Sequence, residues 1–157
     1  MKNTNEMELV FDSRSENEGF ARVAVASFLT QLNPTLEEVS DVKTAISEAV
    51  TNAIIHGYEE NAPGDAQVHK ITIRCALQEK DIYIEVVDHG IGIEDIAKAM
   101  EPLFTTKPEM DRSGMGFAFM EAFMDELEVE SQRMVGTTVK MRKTIGKGRK
   151  PWTTQSL

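Results

Sequence analysis

The order of apolar and polar residues predicts a strand followed by a helix at the start of the chain. Apolar and polar residues alternate in EMELVFD, as they do in a strand with one buried face. Ser15 and Glu18 then match a capping box, which predicts that a helix begins there. Apolar residues follow at helical spacing: Phe20, Val23, Ala24 and Phe28. This helix must end before Pro34, which cannot continue it.

A second helix is predicted directly after this proline. Thr35 and Glu38 repeat the capping-box pattern. The apolar side of the helix is then formed by Leu36, Val39, Val42, Ile46, Val50 and Ala53. We expect Gly57 to end the helix in the left-handed conformation, because glycine has no Cβ that would oppose a positive φ.

The residue pattern in the rest of the chain predicts four more strands and one more helix. KITIRCALQ and DIYIEVVD alternate and are joined by a polar turn at Glu79 and Lys80, which predicts a hairpin. SGMGFAFMEAFMDEL has helical spacing, and ELEVESQ and TTVKMRK alternate on either side of a turn at Gly136. The order is strand, two helices, two strands, loop, helix, two strands. It predicts an α+β fold with helices on one face of a mixed, largely antiparallel sheet.

Length and composition are those of one globular domain. The chain has 157 residues, of which 41% are hydrophobic and 27% charged. No apolar run approaches the roughly 20 residues that span a bilayer, and the N-terminus lacks the pattern of a secretory signal. We therefore expect a cytoplasmic protein that does not enter a membrane. Residues 1–143 are predicted to form the domain, and the basic segment 144–157 a mobile tail.

The charge of the chain limits its partners. A net charge of -9 argues against direct contact with nucleic acid and favours a partner with a basic face. The single cysteine, Cys75, cannot form an internal disulfide and lies on an alternating strand. It is predicted to be a buried thiol.

Three polar residues lie on one side of the second helix. Glu48, Asn52 and His56 are spaced i, i+4, i+8, so they form a ridge along the helix. The amide oxygen of Asn52 suits Mg²⁺, a cation that prefers oxygen ligands, and Glu48 could orient or deprotonate a hydroxyl that attacks a phosphoryl group. The alternatives are a stripe that faces solvent and, for His56, a helix-capping role.

A second candidate stretch, DHGIGI, directly follows a predicted strand. Gly90 and Gly92 would allow a ligand to approach the backbone closely, and Asp88 could accept a hydrogen bond from an exocyclic amine. A tight turn with a hydrogen bond to the Asp88 side chain would explain the same residues.

A third stretch, RSGMGF, precedes the last predicted helix. Ser113, Gly114 and Gly116 would expose backbone N–H groups at the helix start, where phosphate oxygens bind readily. Lys107 and Arg112 would supply positive charge against a triphosphate. An ordinary glycine-rich helix start is the alternative.

The combination and order of these stretches resemble the ATP site of the GHKL superfamily, which has the two-layer Bergerat fold. The pattern is neither a Walker motif nor a dinucleotide fingerprint. Within the superfamily, SENEGFARVAVASF, SEAVTNAIIHGY, EPLFTTKPEMDRSGMGFAFMEAFMDE and GTTV are similar to the family of sporulation anti-sigma F factors. The resemblance runs from about Met7 to Lys143, and it does not extend to the tail.

The resemblance implies a homodimeric serine-protein kinase that binds a sigma factor and uses MgATP to phosphorylate a serine of an anti-anti-sigma protein. Asn52 would hold Mg²⁺, Glu48 would act as base or orienting group for the substrate serine, and Asp88 would bind the adenine amine. The residues of the adenine pocket would be Gly90, Gly92 and Thr138. The lid and phosphate site would comprise Thr105, Thr106, Lys107, Arg112, Ser113, Gly114, Met115 and Gly116. Arg22, with Glu18 nearby, would contact both protein partners.

Two other functions remain compatible with the residues. One is a non-catalytic module that binds ATP or ADP and holds a partner, in which Glu48 would have no chemical task. The other is a related kinase that regulates a stress-response sigma factor and differs only in its partner.

Overall fold

The computed structural model describes residues 4–58, 69–101 and 116–147. Its five strands are β1 (Asn5–Asp12), β2 (Lys70–Gln78), β3 (Asp81–Asp88), β4 (Glu126–Gln132) and β5 (Gly136–Thr144). They form one sheet in the order β1-β2-β3-β5-β4, and each neighbouring pair is antiparallel. The helices are α1 (Glu16–Leu29), α2 (Leu36–Asn52), α3 (Ile96–Ala99) and α4 (Gly116–Phe123), with a 3₁₀ turn at Thr30–Leu32 and a π turn at Ala53–Gly57.

The predicted α+β fold is confirmed. The helix α2 lies between α1 and α4, and its buried side chains join those of the sheet in one core. Strand residues of the β2–β3 hairpin alternate between buried and accessible positions, as the period-2 pattern predicted. The short helix α3 and the 3₁₀ turn were not predicted. Among the described residues, no helix has the length and apolar character needed to cross a membrane.

The two predicted capping boxes have different outcomes. At α2, the Glu38 N–H donates to Thr35 Oγ1 (3.1 Å) and the Thr35 N–H donates to Glu38 Oε1 (2.9 Å), so this box is confirmed. At α1 the prediction is wrong, because Ser15 makes no side-chain capping bond. Its backbone is already helical (φ -55°, ψ -35°), whereas a capping side chain needs an extended backbone to reach back to the helix N–H groups.

The apolar side of α2 is buried from Val42 onward, whereas Val39 is partly buried and Leu36 is not buried. Val42, Ile46 and Val50 are fully buried, but Leu36 is 90% exposed. The helical spacing therefore predicted the face correctly but was wrong about Leu36, which lies in the first turn, outside the buried core.

The described part of the C-terminal segment is packed against the domain. Ile145 is buried and its N–H donates to the Lys80 carbonyl (2.8 Å), while the Gly146 N–H donates to Glu38 Oε2 (2.9 Å). Residues 144–147 thus continue the fold beyond the boundary predicted at Lys143, and residues 148–157 lie outside the described residues. Cys75 is buried as predicted, and this burial raises the pKa of its thiol to about 12.

Candidate functional site

A cavity of about 590 Å³ opens between the helical layer and the sheet. It brings together residues from all three candidate stretches: Asn52 and His56, Asp88 and Gly92, and Gly116. Its other described lining residues are Ala49, Ala53, Gly57, Val86, Ile91, Ile93, Glu94, Asp95, Lys98, Ala99, Phe117, Arg133, Thr137 and Val139. The walls are mainly apolar with a few polar groups, as is usual for a small-molecule site.

The polar ridge of α2 meets the start of α4. A Cβ built on Gly116 would lie 3.0 Å from Asn52 Nδ2 and 3.3 Å from Glu48 Oε2. Asn52 and His56 line the cavity, so this part of the ridge is not a stripe that faces bulk solvent. Glu48 lies one turn earlier, and its carboxylate is beside Gly116, which lines the cavity.

Asp88 is a buried carboxylate at the end of β3. It is 6% exposed, and its Oδ1 accepts a hydrogen bond from the Gly90 N–H (2.9 Å). Burial raises the pKa of Asp88 to about 6, although hydrogen bonds from the backbone of Gly90 and Thr137 oppose that rise. The two interpretations of DHGIGI are therefore compatible, because Asp88 makes the predicted side-chain turn and also lines the cavity.

This buried carboxylate should make stability depend on pH. The folded protein holds the Asp88 proton more tightly than the unfolded chain does, since its pKa of about 6 exceeds the ordinary 3.8. The resulting stabilisation is complete below the unfolded pKa and is lost as the pH rises through the folded pKa. Between pH 5 and pH 7, we expect the free energy of unfolding of wild type to fall by about 1 kcal/mol more than that of Asp88→Asn. Urea unfolding of both proteins at each pH measures this, and equal changes would contradict it.

Gly57 permits the close approach of Asp88 to the end of the π turn that follows α2. A Cβ on Gly57 would lie 2.8 Å from Asp88 Cγ and 2.9 Å from each carboxylate oxygen. The predicted left-handed stop is wrong: Gly57 has no positive φ and ends a π turn, which Tyr58 follows. The glycine is needed at this position because a side chain would occupy the place of the carboxylate.

The two glycines of DHGIGI allow backbone segments to pack together. A Cβ on Gly90 would lie 1.8 Å from the Gly57 carbonyl oxygen, and one on Gly92 (φ +79°) would lie 2.4 Å from the Gln132 carbonyl oxygen. The Ile91 N–H donates to the same Gly57 oxygen (2.9 Å). Both glycines were predicted to line a ligand pocket, but only Gly92 lies on the cavity wall, whereas Gly90 packs against the Gly57 carbonyl.

Thr137, rather than the predicted Thr138, faces the cavity. Thr137 is buried, pairs with Asp88 across the β3–β5 ladder and lines the cavity, whereas Thr138 pairs with Val87 and does not line it. The alternation of the strand could have revealed this, because Thr137 shares its parity with the buried Val139.

Two cationic residues of the cavity wall were also missed. Lys98 belongs to α3, whose first turn is capped by Asp95 Oδ1, which accepts from the Lys98 N–H (3.1 Å). Arg133 follows β4 and forms an ion pair with Glu94 (3.1 Å). The acidic cap before a short apolar segment was the available signal for α3, while nothing in the sequence pattern pointed to Arg133.

The predicted partner residues lie on the helical layer. The Arg22 guanidinium is 3.5 Å from Glu18 Oε2 and donates to Ser47 Oγ (3.4 Å), and its side chain is 40% exposed. Arg22 therefore lies beside the residue that precedes Glu48. The predicted lid residues Thr105, Thr106, Lys107, Arg112, Ser113, Gly114 and Met115 lie outside the described residues.

The protein oxygens at the cavity suit a metal ion whose other coordinating atoms come from a bound molecule and from water. Within the described ranges, no group of three His, Cys, Asp or Glu side chains could bind a metal by itself. Asn52 offers one neutral oxygen at the cavity. Mg²⁺ fits such a site, because it is commonly held by few protein oxygens together with phosphates and water.

Comparison with known proteins identifies the family. Residues 11–143 match the histidine kinase-like ATPase domain. The chain is 57% identical over 141 residues to the anti-sigma F factor of Clostridium novyi, covering 90% of this chain and 95% of that one. It is 51% identical over 145 residues to that of Bacillus subtilis, covering 92% and 96%. The chain belongs to the anti-sigma F factor family.

Other relatives agree with this assignment. The anti-sigma F factor of Caldanaerobacter subterraneus subsp. tengcongensis is 56% identical over 149 residues, which cover 95% of this chain and all of that one. A solved Mycobacterium tuberculosis protein with RsbU and RsbW domains shares the fold, with a TM-score of 0.64 and 20% identity over 90% of this chain and 32% of that one. The match of residues 11–143 to the histidine kinase-like ATPase domain confirms the resemblance of this anti-sigma F factor family member to GHKL proteins.

Proposed function

We propose that the protein binds and inhibits a sporulation sigma factor of the sigma F type and phosphorylates a serine of the anti-anti-sigma protein that opposes it. The observation that carries the proposal is the cavity where Asp88 and Asn52 face a common space, in a chain over 50% identical to anti-sigma F factors. The matched histidine kinase-like ATPase domain supports nucleotide binding there.

Adenine recognition is assigned to the apolar end of the cavity. A carboxylate has more acceptor sites than the two backbone bonds at Asp88 use, so it can also accept a hydrogen bond from the adenine amine. Val86, Ile91 and Val139 provide apolar walls for the ring. Gly92 and Thr137 complete this side, and the latter takes the place first given to Thr138.

The phosphates are assigned to the end of the cavity at which α4 begins. Asn52 would hold Mg²⁺ through its amide oxygen, and the bound cation would neutralise charge on the transferred phosphoryl group. The N–H groups at the α4 start favour anions, and Gly116 leaves room beside Asn52. Lys107 and Arg112 remain the predicted sources of positive charge from the lid.

Glu48 is the proposed acceptor of the serine proton. Its Oε2 is close to Gly116 and therefore to the proposed phosphate end of the cavity. When the serine oxygen attacks the terminal phosphorus of ATP, the bond from that phosphorus to the bridging oxygen breaks and ADP leaves. The serine O–H bond breaks as well, and the Glu48 carboxylate takes that proton. Arg22, on the neighbouring helix α1, would bind the partner protein near Glu48, since its side chain is accessible and lies beside Ser47. A net charge of -9 suits partners with basic faces.

The test of this mechanism is Glu48→Gln. We expect the variant to bind MgATP and the sigma factor normally, but to transfer phosphate to the anti-anti-sigma serine about 100-fold more slowly, because an amide cannot accept the proton. Transfer of labelled phosphate is measured alongside nucleotide affinity. Glu121→Gln, an exposed substitution on α4, serves as the control.

Each outcome of that experiment discriminates between functions. Normal transfer by Glu48→Gln would remove Glu48 from the mechanism. Absence of transfer by wild type, with nucleotide and sigma factor bound, would favour a non-catalytic module. Binding of a stress-response sigma factor in place of sigma F would identify the related kinase. Size-exclusion chromatography with light scattering tests the proposed homodimer.

A further inference from the structure

We infer that Tyr58 is a positioning residue for adenine specificity, whose hydroxyl fixes the segment after Asp88 and thereby the direction of that carboxylate. The inference deepens the proposed function and rests on it, since it assumes that Asp88 binds the adenine amine. Tyr58 does not line the cavity, so its effect on a nucleotide is transmitted through the backbone.

One hydroxyl group connects three elements around the site. Tyr58 Oη donates to the Lys70 carbonyl (2.6 Å) and accepts from the His89 N–H (2.7 Å). Tyr58 follows the π turn, Lys70 begins β2, and His89 is the residue after Asp88. The bond to His89 therefore fixes the peptide that joins it to Asp88.

The segment 89–93 is held by hydrogen bonds at four of its N–H groups. The Gly90 N–H donates to Asp88 Oδ1 and the Ile91 N–H donates to the Gly57 carbonyl, so both acceptors lie within or next to the site. The other two N–H groups donate to side chains of other elements. The His89 N–H donates to Tyr58 Oη, and the Ile93 N–H donates to Ser131 Oγ (2.7 Å). Of these two side chains, Tyr58 acts next to Asp88, so the loss of its hydroxyl frees the peptide that orients the carboxylate.

The ring of Tyr58 is itself fixed. It stacks on His69, with ring centroids 4.2 Å apart and an angle of 15° between the planes. Burial raises the pKa of Tyr58, so the hydroxyl stays protonated and can donate to Lys70 while it accepts from His89. The hydroxyl is thus held in one position by a ring that cannot easily turn.

The experiment compares two nucleotides in three proteins. ATP and purine riboside triphosphate, which lacks the 6-amino group, are titrated with Mg²⁺ into wild type, Tyr58→Phe and Tyr83→Phe. Tyr83 is the chain's other tyrosine and is exposed on β3, so it is the matched control. We expect Tyr58→Phe to bind ATP about tenfold more weakly but the analogue almost unchanged, because the lost bond affects only amine recognition. Tyr83→Phe should behave as wild type.

An equal loss of affinity for both nucleotides would show general loosening of the cavity and overturn the inference, as would an unchanged preference for ATP. If wild type fails to bind ATP, the proposed function fails first, so the two failures are distinguishable. Circular dichroism checks that Tyr58→Phe folds. If Tyr58→Phe does not fold, His69→Leu takes its place in the comparison. This variant keeps the Tyr58 hydroxyl but removes the ring stacked on Tyr58, so it should reduce the preference for ATP in the same direction. An unchanged preference would overturn the inference.

Discussion

Replacement of Asn52 by alanine is expected to lower the affinity for MgATP by about a hundredfold or more, while the fold is kept. Asn52 is the polar side chain of α2 that lies both on the cavity wall and beside the start of α4. Alanine removes the amide oxygen proposed to hold Mg²⁺, but it is the best helix former and should not disturb α2. Calorimetry of ATP binding with and without Mg²⁺ measures the effect.

Asn5→Ala is the matched control for this experiment. Asn5 is exposed on the edge strand β1, where its side chain donates to Gln31 Oε1. This variant should bind MgATP as wild type does, and circular dichroism should show both variants folded. A folded Asn52→Ala protein with wild-type affinity would remove Asn52 from the nucleotide site.

Gly90→Ala is expected to lower the free energy of unfolding by about 3 kcal/mol and to abolish nucleotide binding. The new Cβ would lie 1.8 Å from the Gly57 carbonyl oxygen, a backbone atom that cannot move unless the π turn moves too. Because the Asp88 carboxylate also packs against Gly57, any movement of Gly57 that relieves the clash should displace the carboxylate.

Gly19→Ala provides the comparison for that variant. Gly19 lies in α1, and a Cβ there would make only an ordinary contact, 3.8 Å from Arg22 Nη2. This substitution should leave stability unchanged or raise it, since alanine favours helices over glycine. Urea unfolding of both variants measures the difference, and a Gly90→Ala protein as stable as wild type would contradict the assignment.

Periodicity predicted the sheet and the long helices because it reports which side of each element is buried. The hairpin Lys70–Gln78 and Asp81–Asp88 was predicted with its observed bounds. The errors concern backbone conformation at helix ends. Ser15 fails as a cap because its backbone is helical, and Gly57 ends a π turn instead of adopting a positive φ. Local sequence does not encode such endings when distant residues determine them.

The candidate site was predictable to the extent that local motifs describe it. Asn52, His56, Asp88, Gly92 and Gly116 were selected from short motifs, and all five line the cavity. The role of Gly90 was not predictable, because its partner, the Gly57 carbonyl, comes from another element. The same reason explains why Arg133 was missed: it lies in the β4–β5 turn, which comes to the cavity because β5 pairs with β3, a strand distant in the sequence.

The strand order also determines when the site can form during folding. The β2–β3 hairpin is local and can form early, whereas β1 must pair with β2 across the helices, with Asp12 and Lys70 58 residues apart. The last of the described strands, β5, lies between β3 and β4 and brings Thr137 opposite Asp88. A nascent chain therefore lacks the Thr137 side of the proposed nucleotide site until β5 has docked. If ATP binds at this cavity as proposed, its binding requires β5 to be in place, and chains that stop before Thr137 should be unable to engage ATP.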